Sequence, residues 1–114
     1  MALDIAVREV KDIAVLDLDG KIVLGRDAKK LRETVKKLLA DGKRKILLNV
    51  GKVDDIDSTG VGTLVASFTS ARTLGGELKL NKLNPKFRQA LLVTRLLTVF
   101  EVYDSETEAV AKFQ

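Results

Sequence analysis

The stretch Ile46-Leu-Leu-Asn-Val-Gly-Lys-Val-Asp-Asp-Ile-Asp-Ser-Thr-Gly-Val-Gly62 decides how the chain folds. It begins inside Lys45 to Val50, a nearly continuous apolar run of the kind found in strands covered on both faces. It ends in small and acidic residues: Asp54, Asp55 and Asp57, then Ser58, Thr59, Gly60 and Gly62. From about Ser58 to Leu74 the apolar residues return at helical spacing. Val61, Leu64, Val65, Phe68 and Ala71 make one stripe, and Gly75-Gly76 stops it. A buried strand feeding a helix through a short polar corner is the repeating unit of an α/β sheet.

The same alternation extends outward. Upstream, Ile5, Val7 and Val10 are separated by Lys11-Asp12 from Ile13, Val15, Leu16 and Leu18, which predicts a hairpin of two strands. Asp19-Gly20 is a turn signal, with Lys21 to Leu24 expected as another short strand. A helix follows, with Asp27 as its expected N-cap, Leu31, Val35, Leu38 and Leu39 on one face, and Gly42 at its end. Downstream come a short strand from Glu77 to Leu80 and a helix opened by Asn84-Pro85 with Phe87, Ala90 and Leu91 inward. Val99 to Val102 is expected as a last strand, and Ser105-Glu-Thr-Glu108 is a capping box for a terminal helix packing Ala109, Val110 and Phe113. The order predicts one α/β domain over residues 1–114, with a mixed β-sheet of four to six strands and about four α-helices.

Composition removes many mechanisms. The 114 residues are 46% hydrophobic and 32% charged, with no cysteine and no histidine. There is therefore no disulfide framework, thiol nucleophile, Ser–His triad or His-ligated metal in this chain. The net charge is +4, and Lys79, Lys82, Lys86, Arg88 and Arg95 follow one another with no acidic residue between them. With aromatics at 4%, that run is expected to be a solvated loop and helix face and not a nucleic-acid patch. The opening residues lack a basic region followed by an apolar one, so no signal peptide is expected, and no apolar run approaches the ~18 residues of a membrane span. A soluble, cytoplasmic protein is the expectation.

The corner between Val53 and Gly62 carries the chemistry. Asp57 or Ser58 suits a helix N-cap, where negative charge meets the positive end of the helix dipole. Gly60 and Gly62 are less easily explained, because each costs ~1 kcal/mol against alanine inside a helix. Either the helix packs tightly on its own sheet, or the glycines leave backbone open to another surface; the second is the preferred expectation. Asp55-Ile-Asp57-Ser-Thr59 also has the DxDxT pattern of haloacid dehalogenase-type phosphotransferases, with Asp55 as nucleophile and Asp57 as acid. Against that stand Gly51 to Asp54, expected to separate Asp55 from the rigid strand. In the alternative, Ser58 is a phosphoryl acceptor and the chain performs no catalysis.

Asp57-Ser58-Thr59-Gly60-Val61-Gly62, preceded by Ile46 to Ile56, resembles the central signature of STAS domains, most of all that of the anti-sigma factor antagonists of bacterial partner-switching systems. Leu16 to Ile22, Leu74 to Leu80 and Glu108 to Ala111 are similar to flanking elements of that family. The resemblance implies a STAS-like fold with its helices mainly on one side of the sheet, no catalytic residue, no cofactor and no metal. It implies phosphorylation of Ser58 by an anti-sigma factor that is also a GHKL-type serine kinase, and reversal by a PP2C-type phosphatase. It further implies a partner-binding surface of Gly20, Asp55, Asp57, Ser58, Thr59, Gly60 and Gly62, in a monomer or weak dimer with no direct contact to nucleic acid. Asn49, where many relatives carry aspartate, and the basic net charge depart from the common pattern. A STAS scaffold of stressosome or lipid-transport type, with no phosphoswitch, is the other function such a domain could serve.

Overall fold

The computed structural model describes residues 2–113. Within them, five strands form one sheet in the order β1-β2-β3-β4-β5. β1 (Asp4–Val10) and β2 (Ile13–Ile22) are antiparallel, closed by a two-residue connection in which Lys11 takes φ 58°. β3 (Lys45–Ile56), β4 (Glu77–Asn81) and β5 (Val102–Tyr103) then add in parallel, through α1 (Arg26–Ala40), α2 (Ser58–Thr73) and α3 (Pro85–Val93). α4 (Glu106–Ala111) closes the described chain.

Strand alternation divides the core. Ala14, Leu16, Leu18, Ile46, Leu48, Val50, Leu78 and Leu80 share one face with Leu31, Val35 and Leu39 of α1, Leu64 and Ala71 of α2, and Phe87 and Leu91 of α3. Ile13, Val15 and Leu47 point the other way, onto Ala109 of α4. The mixed sheet, the four helices and the placing of most of them on one side agree with expectation. α4 is held down by charge: Arg8 bonds Asp17 Oδ2 through Nε at 2.6 Å and reaches both carboxylate oxygens of Glu106. Its helix start is the expected cap, with Ser105 Oγ accepting from the Glu108 N–H at 3.1 Å.

Local expectations fail in places where the chain meets a distant segment. Asp19-Gly20 is not a turn, and Lys21 to Leu24 is not a separate strand: β2 runs unbroken to Ile22. Gly20, at φ +122°, lies against the carbonyl oxygen of Ala2, 2.4 Å from where a Cβ would stand. Asp27 does not cap α1. Gly25 holds that position, and Asp27 Oδ1 accepts from the Leu3 N–H at 3.0 Å, pinning the N-terminal segment. Val99 lies in a turn, so the last strand is only Val102–Tyr103.

The basic run is also not one surface. Lys79 is 1% exposed. Its Nζ bonds Glu101 at 2.7 Å and sits 5.3 Å and 5.9 Å from the ring centres of Phe113 and Tyr103. Its stem packs like a hydrophobic residue while its charge meets a partly solvated carboxylate. Lys79→Met should therefore leave stability within about 1 kcal/mol, whereas Lys79→Ala should lose about 2 kcal/mol to the cavity. Urea unfolding of both variants checks this; an equal loss in both would make the ammonium, not the volume, the stabilising part.

Candidate functional site

β3 is the element that builds the site. Its pairing with β4 ends at Asn49–Asn81, but it continues along β2 to Ile56. The register slips twice on that extension, between Asp17 and Asp19 and between Gly20 and Lys21, each time leaving one extra residue on β3. Such bulges bend and twist a strand and re-aim the residues beyond them. The stretch Gly51 to Asp54, expected to break the strand, is thus strand, and Asp55 lies on it. That removes the argument from strand geometry against a phosphotransferase.

A different observation opposes it. Asp57, the residue that chemistry needs as an acid, is the N-cap of α2 and uses both carboxylate oxygens. Oδ1 accepts from the Gly60 N–H at 2.8 Å and Oδ2 from the Leu24 N–H at 2.9 Å. These two donors, Leu24 the stronger influence, hold the Asp57 carboxyl below its ordinary range, which favours the ionised form over the protonated one an acid needs. Among the described residues, the Asp55 side chain makes only a surface ion pair, with Lys86 at 3.5 Å. Among the described residues no three carboxylates gather into a set that could hold a metal ion.

With the N-cap at Asp57, Ser58 and Thr59 become the first helical residues of α2, and both are exposed. Among the described residues nothing bonds the Ser58 hydroxyl. The two glycines beside it differ in kind. Gly60 is buried, and a Cβ there would stand 2.0 Å from the carbonyl oxygen of Ile22 and 2.9 Å from Ile56 Cγ1. It is a packing glycine that lets α2 rest on the end of β2, contrary to the preferred expectation. Gly62 is exposed with nothing within 4 Å of a Cβ, and this one leaves open surface. Gly20 is buried as well, so it and Gly60 do not join Asp55, Asp57, Ser58, Thr59 and Gly62 on the accessible face.

Two residues have a part in the site that local sequence does not mark. Leu24, 75% exposed between β2 and α1, is tied through its N–H to Asp57, the residue before Ser58. Asn84 caps α3 through its bond to the Phe87 N–H and also donates to the Val53 carbonyl at 2.7 Å, bracing the far side of β3. Asn49 has a local reason for not being aspartate. Its amide donates to Asp17 Oδ1 at 2.9 Å, where a second carboxylate would be repelled.

The STAS domain profile matches residues 4–109. The chain belongs to the STAS domain family. Among its relatives, BtrV of Bordetella bronchiseptica, provisionally named an anti-sigma factor antagonist, is 25% identical over 112 residues, covering 98% of this chain and 96% of BtrV. A crystal structure of TM1081 from Thermotoga maritima, which carries the same provisional name, superposes with a TM-score of 0.88 at 26% identity, over 96% of this chain and 93% of that one. The phosphorylated form of the Bacillus cell fate determinant SpoIIAA shares the fold, with a TM-score of 0.74 at 19% identity over 97% and 98% of the two chains. In this STAS domain no helix among the described residues is long and apolar enough to cross a membrane.

Proposed function

We propose that this STAS domain is an anti-sigma factor antagonist of a partner-switching pathway. Unphosphorylated, it binds an anti-sigma factor that is also a GHKL-type serine kinase. Phosphorylation of Ser58 releases it, and a PP2C-type phosphatase restores it. The chain is the substrate of these enzymes and catalyses nothing itself.

The observation that carries this reading is Ser58 itself: an exposed hydroxyl, free of bonds among the described residues, in the first turn of a helix and two positions after a braced strand. A kinase can reach it without unfolding anything, and the helix N-terminus accommodates the added phosphate. Relatives named as anti-sigma factor antagonists and a related fold solved in phosphorylated form support it. The added charge, about −1.5 to −2, would stand beside Asp54, Asp55 and Asp57, on a face that loses water when a partner docks.

Incubation with the cognate kinase and labelled ATP tests the acceptor. One phosphoryl group should be incorporated per chain, and Ser58→Ala should abolish incorporation. Full labelling of Ser58→Ala, for instance at Thr59, would place the acceptor elsewhere.

A further inference from the structure

The bond between Asp57 and Leu24 joins two parts of the site that are 33 positions apart in sequence. Leu24 is the most exposed of the large apolar side chains described, at 75%. It sits in the short loop between Ile22 and Arg26, followed by Gly25 at φ 105° with open space around it. An apolar side chain so exposed costs little to move, yet its backbone is fixed by a charged acceptor, which makes stronger hydrogen bonds than a neutral one. That acceptor is the residue immediately before Ser58, and its other oxygen caps the helix on which Ser58 stands.

We infer that Asp57 couples the charge on Ser58 to this loop: a phosphate on Ser58 loosens the Asp57–Leu24 bond and frees the loop that presents Leu24. The inference rests on Ser58 being the acceptor, and it adds an internal consequence to the direct repulsion of a partner. A phosphate on the first residue of α2 places three oxygens and a charge of about −1.5 to −2 next to the residue that holds Leu24. Its charge also opposes that of the neighbouring carboxylate across a short distance. Of the two bonds made by Asp57, the Gly60 bond is anchored on a buried residue of α2, while the Leu24 bond ends on an exposed loop residue. The Leu24 bond therefore yields first. A partner that meets an ordered Leu24 beside Ser58 in the unmodified protein would meet a mobile loop after phosphorylation.

Asp57→Asn separates the two duties of this residue. Asparagine is as good an N-cap as aspartate, so its one carbonyl oxygen can keep the Gly60 bond. Its amide group then faces the Leu24 N–H, a donor against a donor. The variant should free the loop with no charge added.

The test is amide hydrogen exchange by NMR on four forms of the full chain: the parent, Ser58→Ala, Asp57→Asn, and the protein with phosphoserine genetically encoded at position 58. The sequence neighbours of Leu24 are identical in all four, so its intrinsic exchange rate does not change. The Leu24 amide should exchange about tenfold faster or more in the phosphoserine form and in Asp57→Asn, the loss expected for a charge-assisted bond, and at the parent rate in Ser58→Ala. The amides of Leu47 and Leu80, deep in the sheet, should keep their protection in every form. An unchanged Leu24 amide in Asp57→Asn would overturn the clamp itself. Faster exchange in Asp57→Asn but not with phosphoserine would overturn the coupling. Because the phosphate is installed without a kinase, a Ser58 that no kinase labels would defeat the proposed function and leave this result standing.

Discussion

Gly60→Ala is expected to destabilise the fold by about 3 kcal/mol, lowering the melting temperature by about 10 °C, while Gly62→Ala should stabilise it by up to about 1 kcal/mol. The residues are two positions apart in the same helical turn, and propensity alone would make both replacements favourable. The difference lies in the neighbours. A methyl group at Gly60 would meet the Ile22 carbonyl oxygen at 2.0 Å, a backbone atom at the end of β2 that cannot rotate away. Relief requires α2 to lift off the sheet, and that movement would pull at the bonds from Asp57 as well. At Gly62 a methyl group meets no atom within 4 Å, so only the gain in helix propensity remains. Thermal unfolding of the two single variants reads this directly; equal effects at the two positions would contradict the packing described for Gly60.

Ser58→Glu is expected to weaken binding of the cognate anti-sigma factor by about 5- to 150-fold, the range spanned by couplings of about 1–3 kcal/mol. The new carboxylate would extend a run of acidic residues that, among the described residues, has one ion-pair partner, Lys86 beside Asp55. Docking removes water from this face and so strengthens the repulsion. Ser58→Ala should bind as the parent does, because the hydroxyl makes no bond among the described residues. Calorimetry with the purified partner measures both. Raising the salt should recover part of the lost affinity, since exposed charges are screened. Equal affinity of the Glu variant and the parent would remove electrostatics from the release step.

What could be read without coordinates, and what could not, follows from the range of the interaction involved. The buried run Lys45 to Val50, the helix beginning at Ser58, the cap at Asn84-Pro85 and the cap at Ser105 are local patterns, and each element lies where those residues indicate. Gly20, Gly60 and Lys79 are different. Their roles are set by Ala2, Ile22 and Glu101, none of which is close in sequence, and no local rule distinguishes a glycine pressed by a distant carbonyl from one facing solvent. The extension of β3 was hidden for a related reason. Gly51 and the acidic residues after it are poor strand formers, and β2 holds them in the sheet by tolerating two bulges. Of the residues singled out for the site, Ser58, Thr59 and Gly62 are exposed around the cap at Asp57, and Leu24, which nothing local marks, completes their neighbourhood.

The overhang of β3 beyond β4 bears on how anything can attach here. A strand that outruns its neighbour displays unpaired carbonyls, an invitation to a foreign strand. In this protein the Asn84 amide fills that gap, donating to the carbonyls of Val53 at 2.7 Å and Val50 at 3.5 Å. The vacant rung of the ladder is stopped by a side chain from the chain's own helix. Visitors to this end of the molecule are thereby denied sheet extension at these rungs and left with the side chains of the α2 corner, where the proposed function puts the phosphate that decides whether they stay.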